Sequence, residues 1–315
     1  MNAAVRRPDP PALGDVPFGS GLVRPECVLA TRAGDLFTAA RRPCIAVRVP
    51  TGRRKPNGIA LRADGSFLVT HLGATEGGVF QLTRSGIVTP WLRRIDGLDL
   101  PPTNSVLLDV AGGAWVTVSA RLQPRALGYR RSCADGFTVR VDARGAGTVA
   151  DGLGYTTEVA MHPSGRWLYV NQTFSRRLSR FAVRADGSLG AKEAVCEFGP
   201  GSFPDGLAFD EAGHAWVVSI VSNRLIRVAP DGIATVWLQD NEPEHLAWVE
   251  AAYQADAMDR PHLDTVRSQR LRNISSIAFA GPDRRTALLG CLLDDKLHSL
   301  RLPVAGVAPI HWNHP

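Results

Sequence analysis

The sequence predicts an all-β protein, a six-bladed β-propeller with a helical insertion between blades five and six. Three observations lead there. A short phrase recurs six times, each time opening with a small polar or acidic residue: Glu26-Cys-Val-Leu-Ala, Asn57-Gly-Ile-Ala-Leu, Asn104-Ser-Val-Leu-Leu, Thr157-Glu-Val-Ala-Met, Asp205-Gly-Leu-Ala-Phe and Ser275-Ser-Ile-Ala-Phe. Most of these phrases are followed by a turn and a second apolar run in step, as a repeated blade requires. Glycine (31) and proline (22) punctuate short apolar runs throughout, which is the pattern of many short strands.

The second repeat displays the unit most clearly. Gly58-Ile-Ala-Leu reads as a first strand, Ala63-Asp-Gly-Ser as a turn and Phe67-Leu-Val-Thr as a second strand. Gly78 to Leu82 and Val88 to Leu92 complete four strands. Equivalent turns stand at Val110-Ala-Gly-Gly, Pro163-Ser-Gly-Arg, Glu211-Ala-Gly-His and Gly281-Pro-Asp-Arg. The opening residues are spaced by 31, 47, 53, 48 and 70 positions. A blade takes roughly 40–50 residues, so the first is clipped and the last interval carries an insertion. Val307 to Trp312 is expected to add an outer strand to the last blade and close the ring, since an open edge is a liability.

Two segments depart from the repeat. Residues 119–136 lengthen the link between the second and third strands of blade three. Residues 239–272 form the insertion, where Pro243 suits a first helical turn and Leu246, Val249, Tyr253 and Ala257 recur at helical spacing. Pro261 is expected to stop that helix. In a propeller both links lie on the face where the innermost strands begin, so both should cover the channel mouth.

The division expected is a proline-rich, flexible lead over residues 1–20 and a single propeller over 21–315. A chain of 315 residues, 44% hydrophobic, suffices for one large core. The net charge of +6 is scattered, with no long basic run or aromatic-basic alternation, which argues against a nucleic-acid partner. No apolar stretch approaches the ~20 residues that span a membrane, and the N-terminus has no apolar signal region. Five widely spaced cysteines form no CxxC or Cys/His cluster and fit a reduced, cytoplasmic protein. The expected partner is a small molecule; the sequence leaves the oligomeric state open.

If the opening residues meet at one end of the channel, they form a ring of oxygen donors. Glu26 and Asp205 are carboxylates, Asn57 and Asn104 are amides, and Thr157, Ser275 and Ser276 are hydroxyls; Glu158 stands one residue off the column. Oxygen-only donors favour a hard divalent cation, Ca²⁺ foremost, with Mg²⁺ or Mn²⁺ alternatives; carboxylates also admit Zn²⁺. Two converging carboxylates repel unless a cation neutralises them or one holds a proton. Asp-Gly and Asn-Gly also serve as plain turn residues; it is the column as a whole, with Glu26 in register, that points to a site. Strand alternation leaves open which of Thr157 and Glu158 faces inward, and a bulge would decide it.

His71, Ser119, Arg121, Asn171, Gln172, Thr173 and Ser219 follow second strands and are expected around the mouth. Of these, His71, Arg121 and Asn171 join Asn57, Asn104 and Ser276 as substrate-binding candidates. Arg121, Arg125, Arg130 and Arg131 could meet an anionic or polyhydroxylated substrate. The tryptophans at 115, 167 and 216 read as core packing. No Gly-x-Ser-x-Gly elbow appears, which speaks against serine-hydrolase chemistry.

The phrases Arg24-Pro-Glu26-Cys, Pro56-Asn57-Gly58, Phe203-Pro204-Asp205-Gly206-Leu-Ala-Phe and Ser276-Ile-Ala-Phe-Ala-Gly-Pro-Asp resemble the regucalcin/gluconolactonase family, which includes relatives of strictosidine synthase. The resemblance spans about residues 21 to 303. It implies one divalent metal at the mouth, held by Glu26, position 157 and Asp205, with Asn104 beside it and facing substrate. The implied activity is hydrolysis of an aldonolactone or similar ester, with Asp205 as base. Where the family has asparagine this chain has Thr157, so Glu158 or water would complete the ligand set, or the chemistry has moved. A metal-dependent cyclase, isomerase or dehydratase, and a propeller that only binds a ligand or protein, are the competing expectations.

Overall fold

Short strands separated by tight turns pair with their chain neighbours, and the result here is a series of antiparallel meanders. The computed structural model describes residues 12–16, 21–39 and 54–314. It contains five four-stranded antiparallel sheets, the blades of an all-β propeller. Their innermost strands are Pro56–Leu61, Thr103–Leu108, Thr156–Met161, Ser202–Phe209 and Ile274–Ala280. These strands adjoin one another in chain order, and Val28–Ala30 stands between the last and the first. Val28–Ala30 pairs with Leu36–Thr38 in a separate two-stranded sheet.

Apolar side chains from facing sheets form the core between blades. One layer joins Trp216, Val218, Ile277, Phe279 and Leu289, and another joins Leu68, Val79, Val106, Val116 and Val139. A polar device recurs within the blades. Asp109 accepts from Trp115 Nε1 at 3.2 Å and pairs with Arg140 at 2.7 Å, and that guanidinium lies 4.5 Å from the Trp115 ring. Asp210 repeats the arrangement with Trp216 (3.0 Å) and Arg227 (2.7 Å). Trp115 and Trp216 are buried, as core packing requires, and Trp167 is half-buried under Arg180.

The closure of the last blade differs from expectation. Its outermost strand is Leu13–Asp15, in register Leu13↔Leu300 to Asp15↔His298, so part of the segment expected as a flexible lead is paired. Residues 1–11 and 17–20 of that segment lie outside the described residues. The C-terminal stretch makes no outer strand; Gly306 forms one isolated bridge with Asp210, and Trp312 O accepts from Arg32 N at 2.8 Å. Pro303 and Pro309 explain this, since proline cannot donate to a strand ladder.

Between Ala234–Gln239 and Ile274–Ala280 the chain forms two helices, α1 (Pro243–Gln254) and α2 (Arg260–Asp264). Pro243 occupies the first turn of α1. Pro261 does not terminate that helix. α1 already ends at Gln254, and Pro261 sits in the first turn of α2, capped by Asp259. Glu250 ties α1 to the propeller through Arg176 (3.0 Å) and Gly201 N (2.9 Å).

Candidate functional site

One backbone irregularity recurs where the opening residues stand. In each of the first four innermost strands the register slips between the residue before the opening position and the second residue after it: Pro56/Ile59, Thr103/Val106, Thr156/Val159 and Pro204/Leu207. The fifth slips between Ile274 and Ser276. Each is a β-bulge, which re-aims side chains out of strict alternation. It therefore decides the direction of adjacent residues such as Thr157 and Glu158.

The same positions hold neighbouring blades together. Thr70 Oγ1 donates to Asn104 O (2.7 Å), Thr117 Oγ1 to Thr157 O (2.6 Å) and Asn171 Nδ2 to Asp205 O (2.8 Å). A second-strand side chain thus clasps the carbonyl of the next blade's opening residue. The blades approach closely here. A Cβ on Gly58 would stand 2.7 Å from Ser105 Cα, and one on Gly206 2.7 Å from Ser275 O.

Within the ring, Asn57 Nδ2 donates to Asn104 O (3.0 Å) and Oδ1 (3.2 Å), and Asn104 Nδ2 donates to Ser119 Oγ (3.0 Å). Glu26 accepts from Arg24 Nε at 2.8 Å. Thr157 Oγ1 donates to Asp205 O (3.3 Å) and accepts from Thr173 Oγ1 (3.2 Å). Glu158 turns the other way along the channel. Its Oε2 accepts from Leu207 N at 2.8 Å, and it lines an opposite-end cavity of about 830 Å³ with Ile59, Val106 and Ile277.

Glu26, Glu158 and Asp205 form one electrostatic cluster. Burial, then the charges of Glu26 and Glu158, push Asp205 well above the usual carboxylate range, while Arg24 and the Thr157 hydroxyl pull it down. Burial pushes Glu158 up to about 8, against the Leu207 N–H and with the charge of Glu26. The donor set fits a hard cation by two observations. Burial and the neighbouring acids hold Asp205 and Glu158 above the usual carboxylate range, a penalty that a cation among them would relieve. The buried Asn57 Oδ1 and Ser275 Oγ have no hydrogen-bond partner.

The blade-three extension and the helical segment meet each other. Arg125–Gly128 forms a short 3₁₀ turn, and Arg130 Nε donates to Asp256 O just beyond α1 at 3.0 Å. Tyr129, Tyr155, Phe174, Phe203, Val249, Tyr253 and Leu263 pack as one cluster beneath them. A cavity of about 630 Å³ opens beside α2, lined by Leu22, Arg24, Arg260, Leu263, Arg272 and Asp294.

The remaining candidates are placed variously. Asn171 holds the Asp205 backbone, and its own Oδ1 is unpartnered. Ser276 is buried at the seam with Pro25, and its hydroxyl is also unpartnered. His71 and Arg121 do not join the ring. His71 Nδ1 accepts from Lys55 N at 3.0 Å, and the ring lines a small cavity with Arg54, Glu76, Phe80 and Arg93. Arg121 is exposed and committed to Asp151 (2.7 and 2.8 Å), on the blade's outermost strand Gly145–Leu153, and to Asp135 O (2.7 Å) within the extension. Sequence reasoning gave no separate role to Arg24, whose signal was its place beside Glu26 in Arg24-Pro-Glu26, nor to Tyr129 and Tyr155. A different trio, Cys291, Asp294 and His298, brings ligand atoms within 4.8 Å of one another. There Asp294 and His298 bond each other at 2.8 Å, and burial pushes the Cys291 thiol up to about 12. His298 Nδ1 is buried without a hydrogen-bond partner and lies 3.6 Å from Asp15 Oδ1.

Comparison with known proteins gives consistent findings. The family model described as SMP-30/gluconolactonase/LRE-like region matches residues 47–248. A 6-deoxy-6-sulfogluconolactonase from Pseudomonas putida is 30% identical over 176 residues, 55% of this chain and 56% of that protein. The match thus spans about half the length of that relative. Among solved structures, a gluconolactonase from Xanthomonas campestris superposes with a TM-score of 0.58 at 19% identity, covering 79% of this chain and 73% of the other. The calcium-binding protein regucalcin from Agrobacterium tumefaciens superposes with a TM-score of 0.57 at 18% identity, covering 81% and 78%. At these identities the structural likeness speaks for the fold. Among the described residues no helix is long and apolar enough to cross a membrane.

Proposed function

The chain belongs to the SMP-30/gluconolactonase/LRE-like family, and from that premise we propose that it is a metal-dependent hydrolase of the lactonase type, opening a small sugar-derived lactone or similar ester. The observation that carries the proposal is the buried acid pair Glu26 and Asp205, set among neutral oxygen donors at the covered channel mouth. The ring of innermost strands supports a six-bladed count, with Val28–Ala30 and Leu36–Thr38 belonging to the first blade and the two helices to the insertion between blades five and six. The unpaired cysteines 27, 133, 196 and 291 support a reducing, cytoplasmic setting.

Glu26, Asp205, Asn104 and Thr157 would hold one divalent cation, Ca²⁺ by preference, with Glu158 closing the cluster from the channel side. When bound, such an ion supplies Lewis-acid polarisation of a carbonyl and lowers the pKa of water. The residues do the rest. Asp205, as carboxylate, takes a proton from the attacking water as its oxygen bonds to the carbonyl carbon. The ring C–O bond then breaks, and Asp205 returns the proton to the leaving oxygen, giving a hydroxy acid. Thr157 and Asn171 fix the Asp205 backbone, and Arg24 orients Glu26. Asn57, Asn104 and Ser276 offer polar atoms for substrate hydroxyls.

A second reading keeps the metal and changes the reaction to cyclisation, isomerisation or dehydration. It is favoured by one observation: the Thr157 hydroxyl, where the family has asparagine, is already engaged by Asp205 O and Thr173. A panel of aldonolactones, with Ca²⁺, Mg²⁺, Mn²⁺ or Zn²⁺ and with chelator, separates the two. The proposal expects opening of at least one lactone, abolished by chelator and by Asp205→Asn. No opening above background with any cation would overturn it.

A further inference from the structure

Of the four arginines in the blade-three extension, three are spoken for. Arg121 is paired with Asp151, Arg130 donates to Asp256 O and Leu127 O, and Arg131 reaches the Gln254 amide at 3.3 Å. Arg125 differs. Its partner among the described residues is the Tyr155 hydroxyl, to which Nη1 donates at 3.1 Å. It has no carboxylate partner there, yet it lies near enough to Glu26 to feel its charge. A half-buried guanidinium that makes no ion pair among the described residues keeps donors for an arriving anion.

A second guanidinium stands close by. Arg260, from α2, donates to the Tyr129 hydroxyl at 3.3 Å, and the Tyr129 and Tyr155 rings pack edge to face at 5.3 Å. Arg125 and Arg260 are near enough that their charges oppose each other. Only Arg260 has a carboxylate, Asp264, bonded to Nε at 3.0 Å. Arg260 also lines the cavity of about 630 Å³ together with Arg24, which leads to Glu26, and with Arg272. That lining also carries Asp264, Asp294 and Asp295, so its arginines are matched there, and Arg125, outside it, is the guanidinium left without an ion pair among the described residues. The arginines are held apart by two phenols that keep their planes in place.

We propose that Arg125 and Arg260 bind an anionic substituent of the substrate, so that the preferred lactone or ester carries a carboxylate, phosphate or sulfonate remote from the reacting carbonyl. Guanidinium groups bind such anions through paired, charge-assisted hydrogen bonds, and this pair would clamp the substrate's far end while the ring acts on its carbonyl. The inference rests on the lactonase reading for the reaction but not for the binding.

The test has two arms. In the first, kcat/KM is measured for glucono-1,5-lactone, its 6-phosphate, its 6-sulfonate and a glucaric acid lactone. An anionic lactone is expected to be preferred by about tenfold or more, mainly through KM. Arg125→Gln is expected to collapse that ratio, and the member of the panel preferred most identifies the anion. An equal loss on neutral and anionic lactones, with the ratio unchanged, would make Arg125 a brace for Tyr155 and overturn the proposal. The second arm uses calorimetry with 1,5-anhydroglucitol and its 6-phosphate, which cannot be hydrolysed. Tighter binding of the phosphate, lost in Arg125→Gln, would support the anion site even if no lactone is opened, in which case the lactonase reading alone fails. Equal binding of the two analogues would overturn the anion site.

Discussion

Replacing Glu158 with glutamine should make the metal-free protein more stable at neutral pH, and the gain can be worked from the structure. Burial raises the Glu158 carboxyl from an ordinary value of 4.5 to about 8. Between those values the folded state keeps a proton that the unfolded chain has lost. Stability then falls as pH rises, by about 1.4 kcal/mol per pH unit for one group. From pH 5 to pH 7 the loss attributable to Glu158 is roughly 3 kcal/mol. Glutamine does not ionise, and its carbonyl oxygen can still accept from Leu207 N. The assay is urea denaturation followed by tryptophan fluorescence, in chelator, at intervals from pH 5 to 8. Wild type should lose stability more steeply than Glu158→Gln, with the curves diverging by that amount at pH 7. Parallel curves would show that Glu158 ionises normally in the fold and would refute the electrostatic account of the cluster.

Asp210 is fully buried and accepts from Trp216, Arg227, Ala212 N and His214 N. Asp210→Ala should cost about 3–5 kcal/mol in thermal or chemical denaturation, since it strands a guanidinium, an indole N–H and two backbone N–H groups; a loss near zero would contradict the blade account. Gly206→Ala forces a Cβ to 2.7 Å from Ser275 O and should cost about 1–3 kcal/mol. Gly199→Ala meets nothing within 4 Å and serves as its control; equal stability of the two variants would mean that the blades are not in close contact at the ring.

The repeat was legible because blade architecture is written locally, in turns and in alternating apolar runs. What escaped was set by contacts distant in sequence. Leu13–Asp15 looked like a disordered lead because nothing local distinguishes an outer strand from a coil until Leu300 and His298 are beside it. Pro261 satisfies the first turn of a helix as well as it ends one, and the Asp259 cap decides between them. The directions of Thr157 and Glu158 depended on a bulge that strict alternation cannot foresee. The clasps from Thr70, Thr117 and Asn171 cross from one blade to the next, so no single phrase contains them. Arg121 and Arg125 are alike as loop arginines; only the fold brings Asp151 to one and leaves the other over the ring.

The central claim is that the opening residues form a metal site, and elemental mass spectrometry of the purified protein tests it most directly. The account predicts about one divalent ion per chain after incubation with Ca²⁺, Mn²⁺ or Zn²⁺, and its loss in Asp205→Ala with folding retained. No ion in the wild type under any of these conditions would contradict it.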